Sequence, residues 1–228
     1  MTIRYYALIM KFRSPVHFGE TGEGGDLSTS SFNCHSDTLF SALCTEAARI
    51  NPDLTAKLAN KAENGEILFS DLFPWHWSKT AKAPELFIKK PVIAGKFDTE
   101  QNPARVVETL NSAREMSGER KKIKKRLYIR PSEIDRFVAS LKNQYSSDKQ
   151  SINELSAVPE FAAENNNVHF NGRTRTPYDI NCWHFAENCG LYAVCSIKDE
   201  KDLEWLSPIV TSLSLEGIGG KKSSGYGK

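Results

Sequence analysis

The sequence predicts an α+β fold with helices covering one face of an antiparallel sheet, and three observations predict it. Two segments alternate as strands, Arg4 to Phe12 near the start and Leu191 to Ile197 near the end. Each is followed by apolar residues at helical spacing, from Ser36 to Ile50 and from Asp199 to Leu215. The 228-residue chain is 39% hydrophobic and free of low-complexity tracts, which suits one large domain or two small ones.

Taken in order, Tyr6, Leu8, Met10 and Phe12 share one face of the first strand and Tyr5, Ala7 and Ile9 the other, as in a central strand apolar on both sides. Gly19-Glu20-Thr21-Gly22-Glu23-Gly24-Gly25 reads as a mobile loop. Ser36 caps a helix, with Asp37 in the first turn where the dipole favours an anion. Leu39, Phe40, Leu43, Ala47 and Ile50 form its apolar face, and Asn51-Pro52 stops it. Ile67 to Phe69 and Leu86 to Ile88 are short strands on either side of an aromatic loop from Asp71 to Trp77. From Pro91 to about Arg130 no period is evident, and the stretch reads as an insertion projecting from the core. Ser132 with Asp135 gives a capping-box-like start to a helix lined by Ile134, Phe137, Val138 and Leu141. Gln144 to Gln150 is a polar linker. The last helix is interrupted at Ser207-Pro208 and leads into a glycine-rich tail.

This order suits a ferredoxin-like (RRM-like) sandwich, either one unit with an inserted protruding segment or two such units fused. No internal repeat is evident. The expected division is a first part of the core at 1–94, an insertion at 95–165 with a basic segment and a helix, and a second part of the core at 166–228.

Charge and cysteine content narrow the function. The net charge of +2 comprises +7 from Arg120 to Arg130, which contains no acid, and −5 from everything else. Cation focused in this way fits a polyanion partner, or else a solvated surface loop. No apolar run approaches the roughly 18–20 residues that span a bilayer, and the start MTIRYYALIMKF is not a signal peptide, so the expected location is cytoplasmic, with no membrane partner. Five cysteines without a CxxC pair read as reduced, buried thiols. Cys182, His184, Cys189 and Cys195 match no common zinc spacing, and no metal or cofactor is expected.

The tail runs Gly217-Ile218-Gly219-Gly220-Lys221-Lys222-Ser223-Ser224-Gly225-Tyr226-Gly227-Lys228. Glycines let backbone N–H groups approach an anion, and lysines and serines supply charge and hydroxyls, so the composition suits phosphate. A Walker A loop fails because Gly220 leads to Gly225-Tyr226 where Gly-Lys is needed, and a dinucleotide fingerprint fails at Lys222. Both motifs follow a strand, whereas a helix precedes this tail. ATP and NAD are thereby excluded as readings.

What remains, Gly-x-Gly, five residues, Gly-x-Gly after a helix, resembles the loop of the RAMP superfamily of CRISPR proteins. Phe12 to Glu20, His35 to Leu43, Ser70 to Trp75, Asn171 to Tyr178 and Gly190-Leu191-Tyr192 narrow the resemblance to the fourth Csm subunit of type III-A interference complexes. It touches most of the chain, more thinly between residues 95 and 165. It implies a non-catalytic subunit that binds the 5′ handle of crRNA and joins the large signature subunit to the backbone RAMP subunits. The family pattern continues into a further strand where this chain stops at Lys228, which implies truncation and a loop with nothing downstream to anchor it.

The candidate RNA-binding residues follow. Lys221, Lys222, Ser223 and Ser224 would donate to phosphates, with Gly217, Gly219, Gly220 and Gly225 letting the backbone close in. Tyr226 would stack on a base or pack on the sheet. His17 and His35, with Ser14 and Ser36 beside them, fall in loops near the expected RNA path, as RNA contacts or ordinary loop residues. Arg13, Arg173 and Arg175 are candidate clamps or surface ion-pair partners. Lys89 and Lys90, with the 120–130 run, would form the protruding thumb the superfamily sets against crRNA. The alternative function is a repeat-processing endoribonuclease of the same superfamily, using His17 or His35 as general acid or base.

Overall fold

The structure, a computed structural model, describes residues 3–19, 27–92, 126–142 and 157–228. The glycine stretch at 20–26, most of the basic run, and the linker at 144–150 lie outside them. Two compact units result: Met1–Pro84 with Glu160–Lys228, and Glu85–Pro159.

In the first unit, β9 (Cys189–Ile197) is the central strand. On one side it pairs antiparallel with β1 (Arg4–Met10), Met10 facing Leu191 and Arg4 facing Ile197. On the other it pairs with β2 (Ile67–Phe69) and β3 (Phe73–His76) in succession. The break between these two falls at Ser70, whose hydroxyl accepts the Val194 amide at 2.8 Å. The expected aromatic loop is therefore a strand for four residues, despite Pro74 within it. The first strand is not central. Among the described residues it pairs only with β9, and Tyr5 (70% exposed), Ala7 and Ile9 are uncovered on its second face.

Helices cover the other face. α1 (Ser36–Ile50) buries Leu39, Leu43 and Ala47 as its spacing predicts, while Ile50 is exposed. The first-turn amide of Ser36 is capped by the Asp71 carboxylate at 2.8 Å, so Ser36 is the first helical residue and not the cap. Asn51 ends α1 and caps α2 (Pro52–Glu63), with Pro52 in the first turn where its missing N–H costs nothing. The last helix, written α4 below (Asp202–Glu216), runs through Pro208 without interruption. Leu206, Ile209 and Leu213 meet Leu191, Ala193, Cys195 and Ile197 of β9 in the main core.

A hairpin joins β7 (Ala162–Phe170) to β8 (Pro177–Phe185) through nine residue pairs, from Ala162–Phe185 to Phe170–Pro177. It was not predicted, although Asn171-Gly172 at its turn is a hairpin signal.

The second unit holds β4 (Glu85–Leu86) and β5 (Ile88–Lys89), the expected strand being split at Phe87. β5 pairs with β6 (Tyr128–Ile129). α3 (Ile134–Lys142) buries Phe137 and half-buries Ile134 and Val138. Its lead-in turn, Pro131–Glu133, is closed by Glu133, which accepts the Arg130 amide at 3.3 Å, instead of by Ser132 with Asp135. Arg130, the last cation of the basic run, also donates to Glu85 at 3.1 Å.

Candidate nucleic-acid interface

The glycine tail is a closed loop seated on the segment that follows β1. Gly217 ends α4 with φ 86°, and Ile218 is buried in the core while its amide donates to Gly227 O at 3.0 Å. Gly227, at φ 78°, has no room for a side chain: a Cβ there would lie 2.0 Å from Ile218 O. The loop then bonds upstream residues. Gly220 N donates to His17 O and Gly227 N to Pro15 O, both at 2.8 Å, and Ser14 N donates to Lys228 O at 3.0 Å. Lys228 N donates to Ser14 Oγ at 2.8 Å. The loop is thus anchored by residues 13–17.

That segment has a second edge. Val16 exchanges 2.9 Å backbone bonds with Trp183 of β8, and His17 Nδ1 lies 2.7 Å from Asn181 O. A carbonyl only accepts, so Nδ1 carries the proton. His17 is 5% exposed, and a Cβ on Gly220 would come 2.8 Å from its ring. The expected RNA-contacting histidine is therefore a support beneath the loop. Tyr226 takes the packing alternative: it is 3% exposed against Ile180 and Cys182, with its hydroxyl 3.0 Å from Asn167 Nδ2 and 2.8 Å from His169 Nε2. Burial raises its phenol above the ordinary value. Gly217 is buried as well and belongs to the seat.

The crest of the loop faces outward. Lys221 takes the left-handed conformation at φ 57°, and Lys222–Ser224 form one tight turn. Ser224 and Tyr226 donate their amides to Lys221 O, and Gly225 donates to Lys222 O. The amides of Lys221, Lys222 and Ser223 have no acceptor among the described residues. A left-handed residue followed by a right-handed one turns successive N–H groups toward a common point, a concavity suited to an anion. Ser223, Ser224 and Gly225 are exposed, and Lys221 Nζ stands 5.5 Å from the Tyr178 ring centre. At the foot of the loop the Glu216 carboxyl is held below its ordinary value, first by its hydrogen bond to Arg49, then by the charges of Arg49, Lys228 and Lys222.

The other predicted residues divide. Arg13 is exposed beside the loop, and Ser14 is bonded to it. Arg173 and Arg175 sit exposed in the β7–β8 turn, which follows the Phe170–Pro177 pair one step beyond His169 and Tyr178. His35 is exposed, 3.5 Å from Asp71, at the start of α1 with Ser36. Lys89 and Lys90 belong to the second unit, where burial first and then Arg126 lower the Lys90 amine. Cys182 Sγ lies 3.6 Å from His184 Nε2, with Cys189 and Cys195 buried on β9. No group of three or more metal-ligating side chains is present among the described residues. No helix there is long and apolar enough to cross a membrane. Sequence reasoning missed Asn167 and His169, whose strand β7 was hidden by the polar run Glu164-Asn165-Asn166-Asn167, and Asn181 on its partner strand β8.

No family model matches the chain. It is 28% identical over its whole length to the CRISPR system Cms protein Csm4 of Streptococcus thermophilus, covering 63% of that protein. It is 25% identical over 215 residues to the same-named protein of Mycobacterium tuberculosis (strain CDC 1551 / Oshkosh), covering 59% of it. The chain thus spans about three fifths of the curated relatives it matches. Among solved structures, a chain of the Csm3-Csm4 subcomplex of the type III-A CRISPR-Cas interference complex matches 96% of this chain and 66% of its own length. Its TM-score is 0.52, at 17% identity. A chain of the Csm1-Csm4 cassette in complex with cA4 matches 92% of this chain and 65% of its own, with TM-score 0.50 and 15% identity.

Proposed function

The chain is Csm4-like, and from that premise we propose that it is a crRNA-binding, scaffolding subunit of a type III-A CRISPR interference complex, gripping the 5′ handle with the crest of its glycine loop. The observation that carries this reading is the crest itself: three amides without an acceptor among the described residues, two lysines and two serines on a loop fixed from beneath. A preformed cradle loses little entropy when an anion enters it. Each charge-assisted hydrogen bond to phosphate contributes about 1.5–3 kcal/mol when well formed.

The core is read as ferredoxin-like, supported by the antiparallel order β1–β9–β2/β3 with a helix after β1 and another after β9. The proposed protein partners are the large signature subunit and the backbone RAMP subunits. Support comes from the Csm1-Csm4 and Csm3-Csm4 structures and from the uncovered apolar face of Ile3, Tyr5, Ile9 and Leu68.

The test replaces Lys221 and Lys222 together by alanine and measures crRNA association in the assembled complex. The expected result is weaker binding with a flatter salt dependence, by roughly 0.7 in log–log slope per lost single-strand phosphate contact. Unchanged association would overturn the reading.

The subunit is proposed to bind without cutting. Among its predicted histidines, buried His17 has its Nδ1 proton engaged by Asn181 O. The endoribonuclease alternative rests on His35, exposed and paired with Asp71. Repeat RNA cleaved by the purified protein, and left intact by His35→Ala, would establish that alternative.

A further inference from the structure

Arg49 of α1 lies between two carboxylates. Its Nη1 is 3.0 Å from Glu46 Oε1 and 2.9 Å from Glu216 Oε2. Glu46 is completely buried, and its other oxygen accepts the Ser212 hydroxyl at 2.7 Å, which ties α1 to α4. Glu216 is the last residue of α4 and directly precedes the loop. The stem of a loop lysine lies against the residue that follows Glu216: a Cβ on Gly217 would come 3.2 Å from Lys228 Cγ. An acid therefore stands at the foot of a loop whose crest presents lysines.

We propose that Arg49 is a positioning residue that occupies the Glu216 carboxylate, keeping it from the loop lysines so that they remain available to a phosphate backbone. With Arg49 gone, Glu46 is fixed by burial and by Ser212, whereas Glu216 is about half exposed and at the end of its helix. After Arg49, the charges that act on the Glu216 carboxyl are those of Lys228 and Lys222 of the loop. A carboxylate paired with those lysines competes with a phosphate for the same donors and adds like-charge repulsion. This deepens the proposed function and rests on the loop being the phosphate-binding element.

A double-mutant cycle on this chain tests it, with fluorescence anisotropy of a labelled single-stranded oligouridylate at low salt. Arg49→Ala is expected to weaken binding about 3- to 5-fold, the range of a partly exposed charge contact. Glu216→Gln alone is expected to stay within about 2-fold of the parent, and Arg49→Ala with Glu216→Gln to recover to that level. The cycle is repeated with Glu46→Gln in every member, so that no buried carboxylate is left without its cation and a folded Arg49→Ala background is available. Recovery by Glu216→Gln supports the proposal, because a purely structural loss would not be repaired by removing a second charge. An unaffected Arg49→Ala, or a double variant as weak as Arg49→Ala, overturns it. Loss of binding in the Lys221→Ala, Lys222→Ala protein together with a flat cycle overturns this proposal alone. Indifference to both lysine substitutions overturns the loop reading itself.

Discussion

His169 Nε2 and the Tyr226 hydroxyl are 2.8 Å apart, and this bond fastens the glycine loop to the β7–β8 hairpin. Asn167 Nδ2 donates to the same hydroxyl at 3.0 Å. Tyr226→Phe keeps the ring but leaves both partners without it. The expected loss is about 1 kcal/mol of stability. Tyr226→Ala also removes the buried ring, for about 3–5 kcal/mol. Urea midpoints with unchanged m-values check both, and equal effects would mean that the hydroxyl contributes nothing.

The loop glycines should form a graded series. A Cβ on Gly227 would meet Ile218 O at 2.0 Å, and one on Gly219 would meet His17 O at 2.7 Å. Gly225 has φ 88° but open space around it. Alanine at 225 should therefore cost about 1–2 kcal/mol from left-handed backbone alone. Alanine at 219 should cost more, and at 227 most, because rigid carbonyls must move. Thermal unfolding of the three variants gives the order directly.

Buried thiols should be inert. Cys34 is pushed up to about 12, first by burial and then by the charges of Asp37 and Asp71, and burial does the same to Cys195. Native protein treated with iodoacetamide near the ordinary thiol value of 9.0 should carry label at neither position until it is unfolded. The sign for stability follows. The folded-state values lie above the unfolded one, so the contribution is complete below about 9 and is lost as pH rises from there toward 12. Mass spectrometry after pulse labelling, with urea midpoints above and below that pH, checks both parts.

Asp71, in the break between β2 and β3, caps α1, with Oδ1 accepting the Ser36 amide and Oδ2 3.5 Å from His35 Nδ1. Asp71→Ala should cost about 1 kcal/mol, and Asp71→Asn, which retains an acceptor oxygen, only a fraction of that. Equal losses in chemical denaturation would assign the effect to charge instead of capping.

Much of the core was legible because it follows local periods. The buried face of α1 at Leu39, Leu43 and Ala47, the strand at Ile67 to Phe69, and the alternation of Leu191, Ala193, Cys195 and Ile197 all follow from spacing. The hairpin was not, because β7 buries little of its polar run and is held by its partner strand and by Tyr226. The strand at Phe73 was concealed by Pro74, and the α1 cap by the separation of 35 positions from Ser36 to Asp71. The composition of the loop pointed to anions. Which residues form its crest and which its seat did not follow from composition, because His17 meets Asn181 across 164 residues.

Ser14 and Lys228 bond each other across 214 positions of sequence, and β1 needs β9 as its neighbour. Contacts so distant in the chain form late, after the entropy of closing a very long loop has been overcome. During translation the first strand must wait until β9 has emerged, and the crest is shaped only once residues 217–228 have followed. A nascent chain therefore carries residues 13–17 with one bare edge until that stretch has been made.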